Sequence, residues 1–546
     1  MTDNTLTGTV SKRTQNTVFV IVSIVVAVFG SIIGMQLIAQ LGVTPNTSII
    51  GVLIAMIIAR IPLGWFKQFR SMESQNLIQT TISSATFGAA NSLLLPIGIP
   101  YAMGLPQLVW PLLIGSGIAL AIDVFIFYRV FDSRFFSANE SWPSGVATAE
   151  AMKAGDQGGK KAWLLGAGIV LGLIGSSLGI SMSAFGVAFI GNIWALAFFG
   201  IGLVVNGYAE PWFGIDINAL YIPHGMMIGA GLVALLQFVF MMINAGRKKR
   251  QGATQQSAAQ DAAKAESVKG VGRTEATRSE SDVRKAFLTG NVLFMAGALI
   301  LALLGGLISH MSPLVIVGFV IFAGVITFCH EIIVGIAAMH SGWFPAFAVT
   351  LISLMLGLLL GFPPVALALL TGYVAASGPA FADMGYDFKT GALIRRGVSV
   401  QEEIYGRRQQ LKAGIVGFVV AFVVVAIAHD TLFSQGLIPP VDKVFATTIE
   451  HGIGGEVGRQ LLIWAIPGAI VQLIGGPKRQ VGIMFATGLL IVNPLAGWAV
   501  LVGIVLRFII LKIWGEKGEA MSFTLAAGFI AGDALYSFFS SLWKAR

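Results

Sequence analysis

The chain is poor in charge. Of its 546 residues only 11% are Asp, Glu, Lys or Arg, while 55% are hydrophobic. That balance excludes a water-soluble globular domain of this size. The only cysteine, Cys329, excludes an intramolecular disulfide and a Cys-rich metal centre. No Gly-x-x-x-x-Gly-Lys-Ser/Thr run occurs, so ATP drive inside this chain is not expected. His330-Glu331 is followed by Val at position 334, so the His-Glu-x-x-His zinc arrangement is missing too. The formal charge of +9 does not suggest a nucleic-acid binder. It sits at the ends of apolar segments and in one linker, as the positive-inside rule requires of membrane proteins. No enzyme activity and no cofactor are expected.

What the chain has is long apolar runs, a mean hydropathy of +0.81 and 67 glycines. Glycine lets membrane helices approach closely. The expected fold is an all-α polytopic membrane protein. At roughly 20 residues per crossing, it has about 16 transmembrane helices in two related halves, with short broken helices among them. Residues 1–17 read as a cytoplasmic tail, 18–244 as the first transmembrane repeat and 286–546 as the second. The first span follows a polar start without a small-residue cleavage site, as an uncleaved helix does. Residues 245–285 carry ten Lys/Arg against five acids and read as a hydrophilic cytoplasmic linker. Arg60, Lys67 and Arg70, then Arg129 and Arg134, mark cytoplasmic loops. Lys544 and Arg546 put the C-terminus on the same side as the N-terminus.

The most informative stretch runs from Ser141 to Asp156. It is too polar for a span. Ser141 suits a helix N-cap, Pro143 a first turn and Gly155 a stop. A short, charged helix among long spans points to a transporter's broken segment and its substrate cavity. A partner helix is expected at Asp387–Gln401. Residues 143–170 can be laid over 389–416 without a gap, so that Gly145 falls on Gly391 and Gly168 on Gly414.

Acids at membrane depth need a purpose or a partner. Glu150 is the first candidate for proton coupling, although a local pair with Lys153 is the plainer reading. Asp123, in mid-span, is the second candidate. His224, at a Pro-bent helix start, is the third. The polar span entrance offers Glu73, Asn76, Gln79 and Thr80 as substrate-binding residues; hydrogen bonding between helices is the alternative. Ser144, Thr148, Glu150, Lys389 and Asp533 complete the expected lining. His330 and Glu331, beside Cys329, are weak candidates to meet a passing metal ion.

Four stretches resemble the oligopeptide transporter family, which includes the yellow-stripe-like metal-chelate carriers. Trp142-Pro143-Ser144-Gly145-Val146-Ala147 resembles its aromatic-Pro-x-Gly-x-Ala segment. Asn76-Leu77-Ile78-Gln79-Thr80 resembles its Asn-x-x-Gln-Thr span entrance. Asp387-Phe388-Lys389-Thr390-Gly391 resembles its Asp-x-Lys-Thr-Gly element. Gly528-Phe529-Ile530-Ala531-Gly532-Asp533 resembles its C-terminal Gly-x-x-x-Gly-acid segment. They occur in the family's order along nearly the whole chain. The resemblance implies about 16 helices in two related halves and proton-coupled uptake of peptides or metal chelates. The Asn-Pro-Gly and Lys-Ile-Pro-Pro-Arg motifs of the fungal and plant peptide carriers are not in the sequence. The chain therefore looks closer to the yellow-stripe-like and prokaryotic branches.

The expected function is a proton-coupled symporter importing small oligopeptides across a prokaryotic inner membrane. A siderophore-like or nicotianamine-like metal chelate is the alternative cargo, and a channel is the alternative class. The expected partners are substrate, protons and lipid, with a homo-oligomer as a further expectation.

Overall fold

The structure is a computed structural model. It describes residues 17–41, 47–157, 159–250, 276–342, 345–452, 455–479 and 481–544. The expected N-terminal tail and the middle of the expected linker, residues 251–275, lie outside the described residues. Both ends of that linker are helical, as continuations of the helices Ile222–Arg250 and Glu280–Leu304.

Every named element is helical, and the described residues contain no strand. Ten helices among them are long and apolar enough to cross a membrane. Three further apolar helices, Ile222–Ala234, Val349–Leu359 and Val481–Leu490, are shorter than a span. Among the described residues, length and composition thus mark ten candidate spans, and the expected count of about 16 is not reached by that criterion.

Two spans form the inner core. The most apolar windows of Met72–Ala102 and Pro364–Ile394 are 89% and 94% buried, against 17–61% for the other eight. The outer spans turn apolar side chains such as Leu314 and Ile474 outward, as a lipid-facing surface requires. Glycines set the tightest helix contacts. A Cβ built on Gly168 would lie 2.9 Å from the Cα of Gly528, so the helix Gly159–Ser177 lies backbone to backbone against the Leu525–Gly532 turns.

Neither core span is continuous. Within Met72–Ala102 the α-helix Met72–Phe87 gives way to a π-turn, Gly88–Leu94, before Leu95–Ala102 resumes. Such insertions mark functional sites more often than chance. The span Pro364–Ile394 breaks outright. Pro364–Ala376 ends, Ser377 is extended, Gly378 takes φ +81°, and Pro379 opens a new helix to Ile394. The φ at Gly378 costs other residues about 1–2 kcal/mol, and Pro379 has no N–H to donate back.

This corrects the expected position of the second short helix. It is Pro379–Ile394, not Asp387–Gln401. Gly397 at φ +89° ends the segment, and Ser399 then caps Val400–Ser434 in a reciprocal box with Glu402. The first short helix is Pro143–Gln157, preceded by Trp142 at φ +37°. Ser141 is not its cap. The Ser141 hydroxyl donates instead to the carbonyls of Met339 and His340. By helix start, Pro143 corresponds to Pro379 rather than to Lys389.

Candidate functional site

The two short helices pack against each other. Thr390 Oγ1 donates to the Gly145 carbonyl at 3.0 Å. A Cβ on Gly145 would come within 2.8 Å of the Lys389 side chain, so glycine is what admits the close approach. Trp142 is fully buried, edge-on to Phe127 and Tyr386, and its indole N–H donates to the Ser137 carbonyl at 3.0 Å. It pins the entry to the first short helix.

The break at Ser377–Gly378 is where the acids gather. Asp123 Oδ2 accepts the Gly378 N–H at 2.6 Å, at the buried start of the second short helix. Its Oδ1 has no partner, and the side chain is fully buried. Glu331 is also fully buried, has no partner on either oxygen, and lies close enough to Asp123 for their charges to interact. His330 closes the other side. Its Nδ1 is 3.2 Å from Ser377 Oγ, and its Nε2 is 3.1 Å from the Ala346 carbonyl and 3.2 Å from Thr350 Oγ1. Both His330 nitrogens are thus engaged. No group of three or more His, Cys, Asp or Glu poised to hold a metal occurs among the described residues.

The polar entrance of Met72–Phe87 faces the second short helix. Gln79 Nε2 donates to Asp387 Oδ1 at 2.7 Å, and Ser83 Oγ to Asp383 Oδ1 at 2.7 Å. Thr80 accepts from Gln410 Nε2 at 3.3 Å, and the same amide donates to the Asp387 carbonyl at 2.7 Å. Asn76 is fully buried with no partner for either amide atom.

Glu73 sits at the rim of a buried ion network. Arg395 binds Glu403 with Nε at 2.9 Å, Glu73 with one terminal nitrogen at 3.2 Å, and Gln410 with the other at 2.8 Å. Glu403 also holds Arg407 at 3.3 Å, and Arg407 reaches Asp132 at 3.4 Å and lies over the Phe131 ring. These ions alternate in sign, which is how charge survives burial.

The remaining sequence candidates are dispersed. Glu150 pairs with Lys153 at 3.3 Å. Lys389 is fully buried and donates to the carbonyls of Ala138 and Glu140 at 2.6 and 2.9 Å. Thr148 donates to the Ser144 carbonyl at 2.8 Å. Asp533 accepts from the Ser176 hydroxyl and from the Ser183 N–H. His224 is buried beside Tyr221, with Nδ1 unpartnered. The sequence reading passed over Asp383, Glu403 and Arg407. Asp383 carried a usable signal, an acid one turn from Asp387 inside an otherwise apolar stretch.

An all-helical bundle whose two best-buried spans are interrupted and lined with acids and amides defines an integral membrane protein built around a polar core. The family model described as OPT oligopeptide transporter protein matches residues 15–217 and, in a second overlapping match, 171–544. The chain belongs to that family, and so to its membrane transporters. No match is found among the curated proteins.

Proposed function

We propose that this chain is a proton-coupled secondary active transporter that imports small oligopeptides across the cytoplasmic membrane, with both termini on the cytoplasmic side. One observation carries the coupling: Asp123, buried beside Glu331, holds the backbone at the break of a core span. Two carboxylates at membrane depth with no cation paired to them among the described residues are costly, and a proton removes much of that cost. A charge-assisted hydrogen bond is worth about 1.5–3 kcal/mol and a neutral one about 0.5–1.5 kcal/mol. Protonation of Asp123 therefore loosens its grip on Gly378, which frees the second short helix to move. The proton drives the cycle only through this difference between states.

Substrate meets the polar face of Met72–Phe87 and the two short helices. Asn76 is its best-supported contact, since its amide lacks any partner among the described residues. Glu73, Gln79, Thr80, Ser144, Thr148, Glu150, Lys389 and Asp533 form the wider lining, and several exchange present bonds for substrate as the cavity opens. Glu150 and His224 stand behind Asp123 as proton carriers. Glu150 already has a lysine partner.

A second reading has one observation in its favour. The Asn-Pro-Gly and Lys-Ile-Pro-Pro-Arg motifs of peptide carriers are missing from the sequence. The cargo is then a metal chelate, carried as substrate by the same cycle. Proteoliposome uptake of labelled di- to tetrapeptides and of iron and nickel chelates, with and without an inward proton gradient, tests both. Gradient-driven accumulation of peptide supports the first reading, and of chelate alone the second. Uptake that neither saturates nor responds to the gradient makes the protein a channel.

A further inference from the structure

Asp383 and Asp387 are not used by the proton cycle. They stand one turn apart on the Pro379–Ile394 helix and face Ser83 and Gln79, themselves one turn apart on Met72–Phe87. Asp383 accepts from Ser83 and Asp387 from Gln79, and the Ser48 hydroxyl also interacts with Asp387. Among the described residues, Oδ2 of each carboxylate has no hydrogen-bond partner within normal geometry. A third helix, Thr47–Ala59, adds Ser48, whose hydroxyl lies 2.9 Å from Ser83 Oγ. All of these side chains are buried to 1% exposure or less.

Gln79 points to a ligand. Its amide must turn N–H toward Asp387, because the reverse would set carbonyl against carboxylate. That choice leaves Oε1 fully buried and without a partner among the described residues. Among the described residues no ion pair reaches Asp383 or Asp387. Lys389, on the same helix, directs its ammonium at the Ala138 and Glu140 carbonyls.

Three buried acceptor oxygens on side chains that meet at this helix contact therefore lack a donor among the described residues: Asp383 Oδ2, Asp387 Oδ2 and Gln79 Oε1. A single proton satisfies one or two of them. A small cation satisfies all three, and the hydroxyls of Ser48 and Ser83 have lone pairs to add. Every donor atom is a hard oxygen, which disfavours transition metals. The set falls short of the 6–8 oxygens Ca²⁺ takes, and Mg²⁺ favours a near-octahedral shell that keeps several waters rather than an all-protein set of this kind.

We propose that Asp383, Asp387 and Gln79, with Ser48 and Ser83, bind a sodium ion between three helices. The ion ties the second short helix to Thr47–Ala59 and Met72–Phe87, and its departure releases that helix. The site is separate from the Asp123–Glu331 pair and stands whether or not protons drive transport.

Thermal unfolding of the purified full chain, in sodium, potassium or choline chloride at equal ionic strength and fixed pH, tests this. Sodium is expected to raise the melting temperature saturably by a few degrees, with choline giving no shift. Asp383→Asn and Asp387→Asn should abolish the sodium shift. Gln79→Leu and Ser83→Ala, which leave both charges in place, should weaken it severalfold if either aspartate variant fails to fold. Asp123→Asn should keep it. Equal melting in sodium and choline overturns the proposal, and so does a sodium shift that survives in Asp387→Asn. A shift that follows pH but not sodium overturns it as well.

Discussion

Asp123 and Gly378 meet across the core through a 2.6 Å hydrogen bond from the glycine N–H to the carboxylate. The bond joins the middle of one span to the break in another, and in the proposed cycle the charge on this one side chain controls movement at that break. Asp123→Asn keeps an oxygen acceptor for Gly378 and removes the titrating group. The expected outcome is a folded protein that still binds substrate but no longer accumulates it against a gradient. Counterflow exchange, which needs no proton gradient, should persist at near wild-type rate.

Gly378→Ala tests the hinge from the backbone side. A Cβ there would lie 3.0 Å from the His330 ring, in a conformation unfavourable to alanine. A loss of about 1–3 kcal/mol in unfolding free energy is expected from strain at such a position. Transport should fall more than stability, because the cap on Asp123 shifts with the backbone. Unfolding curves and uptake rates measured on the same preparation separate the two.

The buried ion network predicts a larger stability effect. Glu403 lies between Arg395 and Arg407 with no exposed surface. Glu403→Gln removes the one carboxylate that the two buried guanidinium groups share, leaving Arg395 to Glu73 and Gln410, and Arg407 to Asp132. The expected cost is about 3–5 kcal/mol, as for other broken buried pairs. Unfolding in detergent should show it, and Glu73→Gln, at the exposed rim, should cost far less.

Much of this was legible before any coordinates. Charge poverty and long apolar runs gave the membrane class, and Trp142-Pro143 marked the start of the first short helix. The second short helix was misplaced because its start depends on the φ of Gly378, and glycine is too common here to flag one position. Asp123 was named from its depth alone. Glu331, whose charge interacts with that of Asp123, was named only as a weak metal candidate, because the two residues are far apart in sequence and no helical period links them. The Arg395–Glu403–Arg407 network was missed for a local reason. Arg395 ends the second short helix, and Glu403 and Arg407 lie at the polar start of the long helix Val400–Ser434, where a sequence pattern cannot separate a solvated end from a buried one.

Asp442 gives a pH prediction outside the ten candidate spans. It is fully buried on Pro440–His451, against Gly98, and neither carboxylate oxygen has a partner. Burial pushes its carboxyl well above the ordinary Asp range. The folded state therefore holds the proton more tightly than the unfolded chain. Its contribution to stability is fully present below about pH 3.9, the unfolded value, and is lost as pH rises through the raised one. Asp442→Asn should remove that loss, so the variant gains on wild type toward neutral and alkaline pH. Melting curves of both proteins across pH, taken as a difference, isolate the group.

Proton coupling through the core acids is tested most directly by gradient-driven uptake in proteoliposomes, with wild type, Asp123→Asn and Glu331→Gln compared side by side. Wild type should concentrate peptide or chelate only under an inward proton gradient, and both variants should equilibrate it without concentrating it. Undiminished accumulation by Asp123→Asn under the same gradient would contradict the assignment.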